Sequence, residues 1–256
     1  MPSVLSGGVR INYRVLGEGE PLVLIHGYSA SVRTNWEAPG WLEALAPHYR
    51  LIVPDLRGHG SSEKPRRSQA YSLALLAQDV LACMDAEGVA RARVFGYSMG
   101  GMVALELLLN HADRVRAAVV GGMGTRLPSR ADRLRGRRSE ADGQPAPPRQ
   151  PRRSLAFFRM YMGQYDPLAV AAIWRGVFRG RPPVDAERLG EITVPVLCVA
   201  GTHDAFYPGA KELAARIPGA RFAALSGRGH ISAIADPRLK AAVLEFFAAT
   251  PAAPAA

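Results

Sequence analysis

The run Val94-Phe95-Gly96-Tyr97-Ser98-Met99-Gly100-Gly101 constrains this chain more than any other stretch. Apolar residues lead into it, and helix-forming residues from Met102 to Asn110 lead out of it. The order is therefore strand, sharp turn, helix. A G-x-S-x-G pattern at such a junction lifts a serine hydroxyl clear of the sheet edge on a strained backbone. Glycine suits positions 96 and 100 because a side chain at either would crowd the turn or hold the helix off the strand.

A serine hydroxyl is a weak nucleophile at neutral pH and needs a base, itself oriented by a third group. Val194 to Ala200 reads as a buried strand and runs into Gly201-Thr202-His203-Asp204, which puts a carboxylate at the strand's carboxyl end. Arg221 to Leu225 reads as a further short strand, followed by Ser226-Gly227-Arg228-Gly229-His230 on a glycine-flanked loop. Ser98, Asp204 and His230 thus appear in the chain order Ser, Asp, His, one of the orders in which this triad geometry recurs.

The rest of the chain alternates strand and helix. Val9 to Leu16 alternates apolar and polar and ends in Gly17-Glu18-Gly19-Glu20, an antiparallel hairpin feeding the buried strand Leu22 to Ile25. Helices are expected at 41–46, 73–87, 99–111, 209–217 and 234–248, with strands at 51–54, 93–97 and 115–120. Such alternation implies a mostly parallel sheet covered on both faces. It stops between about Thr125 and Gly190, which divides the chain into core residues 1–124, an insert 125–190 and core residues 191–256. Thr250 to Ala256 reads as a frayed tail.

The formal charge is +10, but it is concentrated. Residues 126–153 carry nine arginines against Asp132, Glu140 and Asp142, a net +6, which leaves +4 for everything else. Five prolines and no aromatic residue accompany them, which suits a mobile, solvated loop rather than a surface that stacks bases. No nucleic-acid partner is expected. Met1-Pro2-Ser3-Val4 does not open a signal peptide, and no apolar run reaches the roughly 20 residues of a membrane span. Cys83 and Cys198 read as small core residues rather than a disulfide, so the expected location is the cytoplasm. No cysteine and histidine cluster has metal-ligand spacing, and no phosphate-binding glycine pattern occurs, so no cofactor is expected.

Four segments in order, His26-Gly27-Tyr28-Ser29, Asp55-Leu56-Arg57-Gly58-His59-Gly60-Ser61, the turn around Ser98, and the Asp204 and His230 loops, resemble the α/β-hydrolase superfamily. The resemblance covers nearly the whole chain except the insert. It implies an eight-stranded, mostly parallel sheet with helices on both faces and a helical lid where the alternation stops. It also implies an oxyanion hole from the main-chain N–H groups of Tyr28 and Met99. His203 adjoins Asp204, but the family places its base after the last strand, which favours His230. The alternative acid position in this family falls at Gly121-Gly122-Met123-Gly124, which holds no carboxylate. His26 and His59 are expected to be structural, and Asp236 to cap a helix.

The second half of the insert, Ser154 to Val177, is rich in aromatic and aliphatic residues and is expected to roof an apolar pocket. Candidate pocket residues are Tyr97, Phe157, Tyr161, Trp174, Phe206 and Ile231. The implied activity is hydrolysis of a small carboxylic ester of short to medium acyl chain through an acyl-enzyme. Other chemistries of the fold fit less well. Members that cleave carbon–carbon bonds in ring-fission products often carry an aromatic residue after the histidine, where this chain has Ile231. Perhydrolases tend to carry a proline near the oxyanion turn, where this chain has Tyr28-Ser29. A non-catalytic receptor on the same fold is the third alternative.

Overall fold

The computed structural model describes residues 1–129, 131–132, 166–179 and 184–250. Among them, eight strands form one sheet in the order β1-β2-β4-β3-β5-β6-β7-β8. The strands are β1 Ser3–Ser6, β2 Val9–Leu16, β3 Pro21–Ile25, β4 Arg50–Pro54, β5 Ala92–Tyr97, β6 Val115–Gly121, β7 Val196–Gly201 and β8 Arg221–Leu225. Pairing is parallel from β4 through β8 and antiparallel for β1 with β2 and β2 with β4. The expected α/β-hydrolase sheet is thus present. One detail differs from the sequence reading. β2 forms its hairpin with β1 and pairs on its other edge with β4, so the turn at 17–20 joins β2 to β3 without pairing them.

The central strands are apolar on both faces because both are covered. In β3, Val23 and Ile25 pack on one side and Leu22 and Leu24 on the other. β7 does the same with Val196 and Cys198 against Leu197 and Val199. Helices α2 Leu73–Ala86, α3 Met99–Asn110 and α5 Tyr207–Arg216 cover the first face, through residues such as Val80, Val103 and Leu213. Helices α1 Trp41–Leu45 and α7 Pro237–Ala248 cover the second, where Trp36, Trp41 and Phe95 meet edge to face with ring centroids 4.9–6.1 Å apart. Full burial of side chains this large is where most of the driving force for folding resides.

The carboxyl-terminal helix is not continuous over 234–248. A short helix α6, His230–Ala233, precedes α7, and Asp236-Pro237 separates them. Asp236 accepts the main-chain N–H of Arg238 at 2.8 Å, the cap that the Asp-Pro pair announces. Thr250 belongs to the fold rather than to a frayed tail, since its carbonyl accepts a bond from the buried Arg93 at 2.9 Å.

Within 125–190, helix α4 Pro167–Ile173 runs into a π-helical turn, Trp174–Phe178. It rests on the core through the Tyr28 hydroxyl, which donates to the Val170 carbonyl at 3.0 Å. The expected pocket residues Phe157 and Tyr161, and the basic segment from 133 to 153, lie outside the described residues. No helix among the described residues is long and apolar enough to cross a membrane.

Candidate active site

Strands β5, β7 and β8 end at the same edge of the sheet, and the three candidate side chains leave from there. Ser98 follows β5 directly and adopts φ 58, ψ −119, a left-handed conformation that is costly for a residue with a side chain. The turn is locked by its surroundings. The Ser98 N–H donates to the Gly121 carbonyl at 2.7 Å, and the Gly101 N–H donates back to the Ser98 carbonyl at 2.9 Å. A Cβ at Gly96 would stand 2.0 Å from the Gly100 carbonyl oxygen, and a Cβ at Gly100 would stand 2.0 Å from that of Ile25. Both glycines therefore do what the sequence requires of them: they let α3 lie directly on β3 and β5.

His230 opens α6 and brings its Nε2 to 3.0 Å from the Ser98 hydroxyl oxygen. Its Nδ1 lies 2.8 Å from Asp204 Oδ2, and that carboxyl group is fully buried. Asp204 Oδ1 accepts the Phe206 N–H at 2.9 Å, so both carboxylate oxygens are committed. With Nδ1–H donating to the carboxylate, Nε2 is left as the acceptor facing the serine. His203 is buried beside Asp204, and it is His230 that meets the carboxylate and the serine.

The loop bearing His230 is fastened to its neighbours. The His203 N–H donates to the Arg228 carbonyl at 2.9 Å, and the Gly227 N–H to Thr202 Oγ1 at 3.0 Å. The Arg228 guanidinium pairs with buried Asp236, whose carboxyl is held well below the usual range first by its hydrogen bond to Arg238. Asp236 is thus a cap and also an anchor for the histidine loop, a role the sequence did not announce.

The turn His26-Gly27-Tyr28-Ser29 follows β3, and a Cβ on Gly27 would stand 3.1 Å from Ser98 Cβ. The main chain at Gly27 thus lies against Ser98, the residue that precedes α3. The amino end of a helix favours negative charge. Two buried histidines brace the turn. His26 donates through Nδ1 to the Gly27 carbonyl at 2.8 Å, and its Nε2 accepts the Leu56 N–H at 3.0 Å. Asp55 accepts the N–H groups of Val32 and Ser61, each at 2.8 Å, and Asn35 Oδ1 accepts that of Gly27 at 3.2 Å. Burial lowers the pKa of both histidines, His59 to about 3. Asn35 sits on a π-helical turn, Val32–Glu37, that no periodicity in the sequence marks.

The remaining pocket candidates divide. Trp174 and Ile231 are exposed. Trp174 stacks on Phe178 at 5.1 Å, and both lie near the Tyr28 ring. Phe206 lies 5.4 Å from the His230 ring. Tyr97 is buried at 3% exposure, and its hydroxyl donates to the His230 main-chain carbonyl at 2.6 Å.

Comparison with known proteins bears on this geometry. Residues 20–130 match the family described as alpha/beta hydrolase fold. The chain is 35% identical over 121 residues to a 2-hydroxymuconate semialdehyde hydrolase of Pseudomonas sp. (strain CF600); the match covers 46% of this chain and only 42% of that protein. An enol-lactonase from Burkholderia xenovorans LB400 superposes with a TM-score of 0.79 at 28% identity, over 96% of this chain and all of that one. An esterase from Rhodococcus sp. ECU1013 superposes with a TM-score of 0.76 at 30% identity, over 97% of this chain and 98% of that one. Sheet order, strained serine turn and end-to-end similarity agree, and the chain belongs to the α/β-hydrolase superfamily.

Proposed function

We propose that the chain is a serine hydrolase cleaving carboxylic esters of short to medium acyl chain through an acyl-enzyme. The observation that carries this reading is the unbroken relay from Asp204 through His230 to Ser98, with bonds of 2.8 and 3.0 Å. In this reading His230 removes the serine proton as Oγ attacks the ester carbonyl. The N–H groups of Tyr28 and Met99 stabilise the oxyanion, a contribution of about 2.7–4 kcal/mol for each donor in comparable sites. His230 then returns the proton to the departing alcohol, and the same steps with water release the acid. Asp204 holds the imidazole in the required tautomer and stabilises its charged form. No cofactor enters these steps.

The half-exposed aromatic group of Trp174 and Phe178 beside Tyr28 supports an apolar acyl or alcohol group in the substrate. The enol-lactonase neighbour supports including cyclic esters. We take residues 125–190 as the lid over this site, and the cytoplasm, in keeping with two buried free cysteines, as its location. Similarity to 2-hydroxymuconate semialdehyde hydrolase favours a second reading, cleavage of a carbon–carbon bond in a ring-fission product. Ile231 after the histidine weighs against it.

A series of chromogenic esters from acetyl to decanoyl, with lactones and a ring-fission product alongside, tests the reading. Turnover of short esters that vanishes in Ser98→Ala is the expected result. Turnover of the ring-fission product alone would favour the second reading, and turnover of nothing beside tight binding would favour a receptor.

A further inference from the structure

Ser98 and His230 reach each other from opposite sides of two intervening strands. Ser98 leaves β5 and His230 follows β8, with β6 and β7 between. A misplacement of about 1 Å in such a pair can cost on the order of a hundredfold in rate. The loop that carries His230 includes Gly227, at φ 72, and Gly229, so it has little stiffness of its own. Its bonds to Thr202, His203 and Asp236 tie it to the end of β7 and the start of α7. None of these reaches β5, where the nucleophile stands.

Tyr97 does reach it. It is the last residue of β5 and the covalent neighbour of Ser98. Its buried ring lies across the end of β6 and places its hydroxyl 2.6 Å from the His230 main-chain carbonyl. The ring centroid is 5.5 Å from that of the imidazole. The crossing needs room. A Cβ at Gly121 would stand 2.7 Å from the tyrosine ring, and a Cβ at Gly122, where φ is +61, would stand 2.8 Å from it and 3.1 Å from His230 Cε1. Burial, and after it the negative charge of Asp204, push the phenol well above its ordinary pKa, so the group remains a hydrogen-bond donor.

We propose that Tyr97 is a positioning residue for the general base: its phenol fixes the main chain of His230 relative to β5, and so sets the separation of base and nucleophile. Gly121-Gly122 is the passage that lets the ring cross β6. The proposal rests on the reading of Ser98 and His230 as nucleophile and base.

Tyr97→Phe removes one oxygen and keeps the ring. The expected result is a kcat reduced about tenfold to a hundredfold with KM within about twofold, the signature of a displaced reacting group rather than a reshaped pocket. The rate at which a fluorophosphonate labels Ser98 falls by the same factor. The low-field N–H resonance of the His230–Asp204 pair broadens. All three are read well below the melting temperature of each variant, with Ser98→Ala run alongside. If Ser98→Ala is inactive while folded Tyr97→Phe keeps wild-type kcat and labelling rate, the positioning role is overturned and the nucleophile stands. A Tyr97→Phe effect confined to KM, or to melting temperature, overturns it equally. Turnover retained in Ser98→Ala overturns the underlying reading itself.

Discussion

His59 Nε2 accepts the main-chain N–H of Ser29 at 3.2 Å, which ties the turn carrying Tyr28 to the Asp55–Ser61 turn on the neighbouring strand. Nδ1 of the same ring lies 3.0 Å from the Arg57 carbonyl, so His59 works as a neutral strut, with Nδ1–H as donor and Nε2 as acceptor. Protonation would turn the acceptor into a donor and face it with an N–H group. Burial first, then the neighbouring His26, bring its pKa from 6.5 down to about 3.

The sign of the resulting pH dependence follows. The unfolded chain takes up a proton at His59 below pH 6.5, while the folded chain does not until about pH 3. The unfolded state therefore binds more protons in this window, and stability that is fully present above pH 6.5 is lost as pH falls toward 3. Urea unfolding measured across that range is expected to show the decline, and His59→Gln to make it shallower, since glutamine can accept the Ser29 N–H but gains no proton. A wild-type slope in His59→Gln would assign the acid lability to other groups.

Ser98→Ala is expected to lower kcat by roughly 10⁴-fold or more, with little change in melting temperature. The alanine inherits the strained φ of 58, but that strain is imposed by the turn and not by the hydroxyl. A fluorophosphonate is expected to label Ser98 and no other serine, as read by mass spectrometry. More than a tenth of wild-type turnover in the variant would remove Ser98 from the mechanism.

Asp204→Asn is expected to cost about 10⁴-fold in kcat while the protein stays folded. An amide can donate to Nδ1 and so favours the tautomer with its proton on Nε2, the wrong one for taking a proton from Ser98. Steady-state kinetics beside a thermal melt checks this, and full activity would place the orienting acid elsewhere.

Gly100→Ala is expected to destabilise the protein by about 3 kcal/mol, because its Cβ would meet the Ile25 carbonyl oxygen at 2.0 Å and main chain would have to move. A shifted urea midpoint is the readout. A neutral effect would mean that α3 can rise off β3 at little cost.

Trp174→Ala is expected to leave stability and acetyl-ester turnover nearly unchanged and to raise KM for longer esters by roughly tenfold, the scale of a lost apolar contact. Equal KM values across the acyl series would take Trp174 out of the pocket.

Much of this protein is determined by sequence over short range. The Ser98 turn is legible because Gly96 and Gly100 are needed within a few residues of the serine, where chain geometry leaves no other solution. The parallel sheet is legible because uniformly apolar runs such as Leu22 to Ile25 can be satisfied only by cover on both faces. Asp236-Pro237 announces its own cap. What only the tertiary structure decides depends on residues far apart in the chain. Nothing local tells β2 to pair with β4 rather than β3, since its alternation suits either neighbour. Nothing local gives Tyr97 a partner 133 residues away, and a tyrosine beside Ser98 reads equally well as pocket lining. Likewise His26 and His59 show as turn residues in the sequence, but their bonds to Leu56 and Ser29 exist only once β3 and β4 lie side by side. Local sterics write themselves into residue types, whereas a hydrogen bond across the sheet leaves no mark on the neighbours of either residue.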